Sequence, residues 1–209
     1  MKLFLTSSCI SENLRTPFLE HFDKDPRISK CYFIPTASDP DQEKFYMCKS
    51  MDDLVQLGFN PIWYALQFKS KELITQELAD ADIIWVGGGN TFYLLEVARR
   101  VGFLEVITDL IKNKGIVYGG VSAGTLLASP NIESAGWEPY GDLNDVGITD
   151  LSSLNFVNFT SMVHYNDEQK DVIEKYKSTN EIIYTIPDGG MILVEDEQIT
   201  LLGNAKLYE

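Results

Sequence analysis

Ile116-Val117-Tyr118-Gly119-Gly120-Val121-Ser122-Ala123-Gly124-Thr125-Leu126-Leu127-Ala128 changes character at its middle. The first three residues are β-branched or aromatic, as in a short buried strand, and Gly124 to Ala128 suit a helix. Between them, Gly120-Val121-Ser122-Ala123-Gly124 sets small residues on both sides of a serine. A nucleophile elbow needs that pattern, because its serine sits in a strained strand-to-helix turn with Oγ held clear of the backbone. The same pentapeptide also fits an ordinary glycine-rich turn. Under either reading a strand feeds directly into a helix.

Working outward, short runs of strand character cover Lys2 to Thr6, Lys30 to Ile34, Pro61 to Leu66, Asp82 to Val86, Asn155 to Phe159, Ile182 to Thr185 and Met191 to Val194. Most are continuously apolar, as strands buried on both faces are. Helical spacing covers Pro40 to Leu57, Lys71 to Ala79, Thr91 to Val101, Phe103 to Asn113 and Glu168 to Tyr176. In the first of these, Asp39 suits the N-cap, Pro40 the first helical position, and Gly58 the C-terminal stop. Strands alternating with helices predict a doubly wound α/β domain, a mostly parallel sheet with helices on both faces. A length of 209 residues is that of one domain spanning residues 1–209. Asn131 to Ser153, rich in Gly, Asp, Asn and Ser, reads as a long loop.

The 17 basic and 31 acidic residues leave a net charge of −14, which repels phosphate backbones and anionic membranes. No nucleic-acid or membrane partner is expected. No apolar run approaches the roughly 20 residues of a membrane span, and the first residues lack a secretory pattern. The cysteines, Cys9, Cys31 and Cys48, form no CxxC pair, which predicts a cytoplasmic chain with neither a zinc site nor a disulfide framework. No metal or other cofactor is expected.

Two further features could carry chemistry. Gly87-Gly88-Gly89-Asn90 follows the strand-like Ile83-Ile84-Trp85-Val86 and precedes a helix, so its backbone N–H groups can converge on an anion or oxyanion. Phe92 stands where a dinucleotide fingerprint needs its third glycine, which disfavours NAD. A tight turn with Asn90 as helix N-cap is equally compatible. Of the two histidines, His21 suits a helix end, whereas His164 follows strand-like residues downstream of the serine and is the candidate base. Asp188, in Pro187-Asp188-Gly189-Gly190, occupies a comparable strand end. Glu133, Glu138, Asp142, Asp145 and Asp150 lie in the irregular stretch; most of the 31 acidic residues read as solvated, and either Asp188 or one of these loop carboxylates completes the triad.

Taken together, the opening strand, Ile34-Pro35-Thr36-Ala37-Ser38, Gly87-Gly88-Gly89-Asn90-Thr91-Phe92, the serine turn and the histidine segment resemble the peptidase E family of serine dipeptidases, also called α-aspartyl dipeptidases. The resemblance implies a class I glutamine amidotransferase-like, or flavodoxin-like, fold. It also implies Ser122 as nucleophile, His164 as general base, and the N–H groups of Gly88 and Ala123 as the oxyanion hole. Gly89, Asn90 and Lys170 are the expected substrate-binding residues, Lys170 as a less geometric substitute for the family's Arg. Family members differ in the third triad residue: one position falls near Trp137 here, and the other matches Asp188. Aspartate-specific members carry an Arg after the histidine, whereas this chain reads Asn166-Asp167-Glu168-Gln169-Lys170 and has no Arg beyond Arg100. The expected activity is hydrolysis of dipeptides or short peptides by a monomer or homodimer, without strict N-terminal aspartate specificity. An α/β-hydrolase esterase using Asp145 or Asp150, and an inactive amidotransferase-like binding module, are the alternatives.

Overall fold

The computed structural model describes residues 1–8, 10–178 and 181–209, so Cys9 lies outside the described residues. The chain runs β1 (Lys2–Thr6), α1 (Glu12–His21), β2 (Cys31–Ile34), α2 (Phe45–Gln56), β3 (Ile62–Trp63), α3 (Lys71–Glu77), β4 (Ile83–Val86), α4 (Thr91–Arg100), α5 (Phe103–Lys112) and β5 (Val117–Val121). It continues through α6 (Ala123–Leu127), β6 (Thr160–Val163), α7 (Lys170–Tyr176), β7 (Ile183–Ile186), β8 (Met191–Glu195), β9 (Gln198–Leu202) and β10 (Lys206–Leu207). Seven strands form the main sheet in the order β3-β2-β4-β5-β1-β8-β9. The first five in that order are parallel, and β8 and β9 join antiparallel.

Both faces are covered, as the continuously apolar strands predict. Phe4, Phe33, Trp85 and Val121 pack with Leu14 and Phe18 of α1 and Leu54 of α2. On the other face Leu3, Leu5, Ile84 and Tyr118 pack with Ile74, Leu95, Ile107 and Leu126 of α3 to α6. The doubly wound α/β architecture is therefore present.

Several local expectations fail for identifiable reasons. Asn155 to Phe159 is not a strand; the strand is β6, just downstream. Phe156 and Phe159 are buried, yet the N–H groups of Leu154 and Phe156 donate to the carbonyls of Leu127 and Ala128. The segment thus satisfies the open C-terminal end of α6 in place of a ladder. Helix α2 begins at Phe45, not Pro40, because Thr36–Ser38 forms a 3₁₀ turn whose C-cap is Asp39. Its end is as read: Gly58 has φ +101°, and the N–H groups of Gly58 and Phe59 donate to Val55 and Leu54. That pair of bonds is a Schellman closure.

A second sheet was not foreseen. Strands β10-β7-β6 pair with one another apart from the main sheet, and β6 and β7 run parallel in the register Val163 to Ile186. This small sheet supplies half of the site.

Candidate active site

Ser122 extends β5 by one hydrogen bond, its N–H donating to the Thr6 carbonyl at 3.0 Å, and then breaks the strand with φ 50° and ψ −109°. A left-handed φ is uncommon for a residue with a side chain and is found mostly at functional sites. The flanking glycines make the turn possible. A Cβ on Gly120 would lie 2.7 Å from the Gly124 backbone, and one on Gly124 would lie 2.1 Å from the Val86 carbonyl oxygen.

His164 directly follows β6 and also has a left-handed φ, 54°. Asp188 lies in the turn after β7, so the parallel β6–β7 register brings the two together. His164 Nδ1 is 2.7 Å from Asp188 Oδ1, and His164 Nε2 is 3.0 Å from Ser122 Oγ. An ionised carboxylate can only accept, so Nδ1 carries the proton and Nε2 is left to accept the Ser122 hydroxyl. The sequence-derived trio is thus one continuous hydrogen-bonded chain that spans the two sheets.

A family model describing peptidase family S51 matches residues 3–202. The chain belongs to peptidase family S51. This S51 member is accordingly a serine hydrolase of the peptidase type, as the GGGNTF segment and the serine turn imply. An uncharacterised peptidase of Listeria innocua is 33% identical to it over 98% of each chain. Peptidase E of Salmonella newport is 32% identical over 82% of this chain and 75% of its own. A 1.5 Å crystal structure of a Listeria monocytogenes EGD-e protein, assigned provisionally to peptidase E, superposes with TM-score 0.80. That superposition covers 100% of this chain and 98% of the other at 29% identity.

In this S51 chain Gly88 and Ala123 lie on either side of Ser122. Gly88 is close enough that a Cβ there would be 3.2 Å from Ser122 Cβ and 3.8 Å from Oγ. Ala123 opens α6, so its N–H has no partner within that helix. Gly89, at φ +133°, approaches Ala37 so closely that a Cβ would fall 2.3 Å from its carbonyl. Asn90 N-caps α4, with Oδ1 accepting from the Tyr93 N–H at 2.9 Å and Nδ2 donating to the Leu143 carbonyl at 2.8 Å. Both the turn and the cap read from the sequence are therefore present, and both residues line the cleft beside Ser122.

Lys170 is exposed at the start of α7 and is not among the residues lining the two hollows at Ser122, whereas Gln169, just before that helix, lines the smaller one. Among the described residues, Lys49 of α2 lines the larger hollow, and it is remote in sequence from every motif. The acids of the hydrolase alternative stand apart from His164: neither Asp145 nor Asp150 lines a hollow beside Ser122, and Asp150 pairs with Arg99 at 3.2 Å. His21 ends α1 with Nδ1 2.9 Å from Glu195 Oε2.

Two further residues line the site. Asp142, one of the loop carboxylates, is half-buried and accepts from the Thr91 N–H at 2.8 Å and the Thr91 hydroxyl at 2.7 Å. Burial raises its pKa above the ordinary carboxylate value, with Asp41 adding to the rise and the Thr91 bonds and His164 opposing it. Ser7, at the end of β1, is fully buried and donates to Asp188 Oδ1 at 3.1 Å. A hydroxyl just past a parallel strand's C-terminal end is the only signal the sequence offered.

Two hollows flank Ser122. The smaller, about 90 Å³, is lined by Leu126, Trp137, Met162 and Ser161 along with Asp142 and His164. The larger, about 520 Å³ and open, is lined by Phe45, Tyr46, Lys49, Asp41 and Asp188.

Proposed function

We propose that this chain hydrolyses dipeptides or short peptides through an acyl-enzyme on Ser122. His164 Nε2 removes the hydroxyl proton as Ser122 Oγ attacks the carbonyl, and the N–H groups of Gly88 and Ala123 hold the oxyanion. The protonated His164 then gives its proton to the leaving amine, and a water repeats the cycle on the acyl group. The observation that carries this reading is the unbroken chain Ser122–His164–Asp188 at 3.0 and 2.7 Å. The cytoplasm is the proposed setting, on the ground of the unpaired cysteine pattern in the sequence. A fluorophosphonate probe is expected to label wild type and to leave Ser122→Ala unlabelled; labelling of the variant would remove Ser122 from the mechanism.

Asp188 orients the imidazole and offsets its charge in the transition state without itself attacking. Asp188→Ala is therefore expected to lower kcat by about 10- to 10⁴-fold, no more than loss of the serine or histidine. A fully active Asp188→Ala enzyme would show that the imidazole needs no carboxylate.

Strict aspartate specificity is not expected. Among the described residues the small hollow has no Lys or Arg in its lining and holds Asp142, so an ionised side chain there would be an unpaired anion beside a carboxylate. Its volume of about 90 Å³ suits a small side chain. Kcat/KM for Ala-Leu and Ser-Leu is expected to equal or exceed that for Asp-Leu at both low and high salt. A preference for Asp-Leu above about 100-fold, roughly 2.7 kcal/mol, would mean that Lys49 or another cation pairs with the substrate.

A further inference from the structure

The three proposed catalytic side chains come from two separate sheets, and two of them are loosely housed. The side chains of His164 and Asp188 are 48% and 68% exposed. Asp188 sits in a turn followed by Gly189, at φ +78°, and Gly190. An exposed carboxylate on such a turn has many rotamers open to it, and a histidine at positive φ has a strained backbone. Something must hold the carboxylate against the imidazole.

Ser7 touches both. It is 0% exposed, and its Oγ accepts the His164 backbone N–H at 2.6 Å while donating to Asp188 Oδ1 at 3.1 Å. The same oxygen lies 3.4 Å from His164 Nδ1. A serine hydroxyl has one proton to give, and here the His164 N–H already points at the oxygen as a donor, so the proton goes to the carboxylate. Asp188 Oδ1 thus receives two donors, Ser7 Oγ–H and His164 Nδ1–H, which fixes its position and leaves Nε2 free of a proton for Ser122. Two neighbouring bonds tie the same turn to the end of β1: Ser7 N–H to the Gly190 carbonyl at 3.5 Å, and Gly189 N–H to Ser8 Oγ at 3.3 Å. Since Ser122 N–H bonds Thr6, the preceding residue, the end of β1 contacts all three members.

Resting on the serine-peptidase reading, we propose that Ser7 is a positioning residue, the hydroxyl that locks the His164–Asp188 pair of the small sheet to the Ser122 turn of the main sheet. It acts through the pair and does not touch the reacting atoms. Removing it frees a rotamer and a strained backbone; although Ser7 borders the larger hollow, at 0% exposed it has no surface to offer a substrate.

The test is a double-mutant cycle of Ser7→Ala and Asp188→Ala, with steady-state kinetics on Ala-Leu, fluorophosphonate labelling rates and thermal melts. Ser7→Ala alone is expected to lower kcat about 10- to 100-fold with KM within about twofold and to slow labelling in parallel. In the Asp188→Ala background the same change is expected to cost less than about threefold, because groups acting as one unit are non-additive. An equal loss in both backgrounds, or a kcat within twofold of wild type, overturns the role of Ser7. Labelling at Ser122 in wild type with an unaffected Ser7→Ala overturns that role alone. A labelling signal that persists in Ser122→Ala overturns the peptidase reading and the role of Ser7 with it.

Discussion

Ser122→Ala and His164→Ala are each expected to lower kcat by at least about 10³-fold, with melting temperatures close to wild type. Both groups serve one proton transfer. Without Oγ nothing attacks the carbonyl, and without Nε2 the hydroxyl keeps its proton, so the two losses should be similar and the double variant little worse than either. The fold should tolerate both changes for a local reason. The Oγ of Ser122 bonds to His164, whose side chain is 48% exposed, so truncating either residue leaves the other within reach of water. The bond from the Ser122 N–H to Thr6 belongs to the backbone and survives in the alanine variant. Alanine meets the same strain at φ 50° as serine does. Hydrolysis of Ala-Leu and circular-dichroism melts read the two effects separately. Activity above a tenth of wild type in either variant would exclude the proton transfer proposed.

How far the sequence reached depends on whether a feature is local. The β5–α6 turn was legible because Gly120, Ser122 and Gly124 carry their own signal, and the Asn90 cap because it stands at a strand-to-helix boundary. His164 and Asp188 could be singled out as polar residues near strand ends, yet their pairing depends on the β6–β7 register, between strands separated by α7. The small sheet itself was missed because the apolar density at Asn155 to Phe159 outweighed Thr160–Val163, where Thr160 and Ser161 are buried polar residues. Strand β9, Gln198–Leu202, has partly exposed residues and follows a charged turn, so its pattern is weak. Ser7, Lys49 and Asp142 reach the site from β1, α2 and the long loop through tertiary packing, which no spacing along the chain encodes.

Gly124→Ala is expected to be among the most destabilising single changes in the chain, although it adds only one carbon. The new Cβ would lie 2.1 Å from the Val86 carbonyl oxygen, 2.8 Å from its carbonyl carbon and 3.0 Å from its Cβ. None of these atoms can rotate away, because Val86 is fully buried and is paired in register with Ile34 on one side and Gly120 on the other. Helix α6 would have to move instead. That movement would pull against the Tyr118 hydroxyl, which donates to the Gly124 carbonyl at 2.6 Å, and against the bond from the Thr125 hydroxyl to Thr6 at 2.7 Å. Overpacking a core costs about 1–3 kcal/mol when side chains can adjust, so a clash with immovable backbone should cost at least about 3 kcal/mol. For a chain of this size that is a fall in Tm of roughly 6–12 °C. Gly115→Ala is the control that separates sterics from backbone preference: its φ is +69° but nothing lies within 4 Å, so only the left-handed penalty of about 1–2 kcal/mol applies. A Gly124→Ala protein that melts within about 3 °C of wild type would mean that α6 can lift off β4 at little cost. The left-handed conformation of Ser122 would then owe nothing to close packing of the helix behind it.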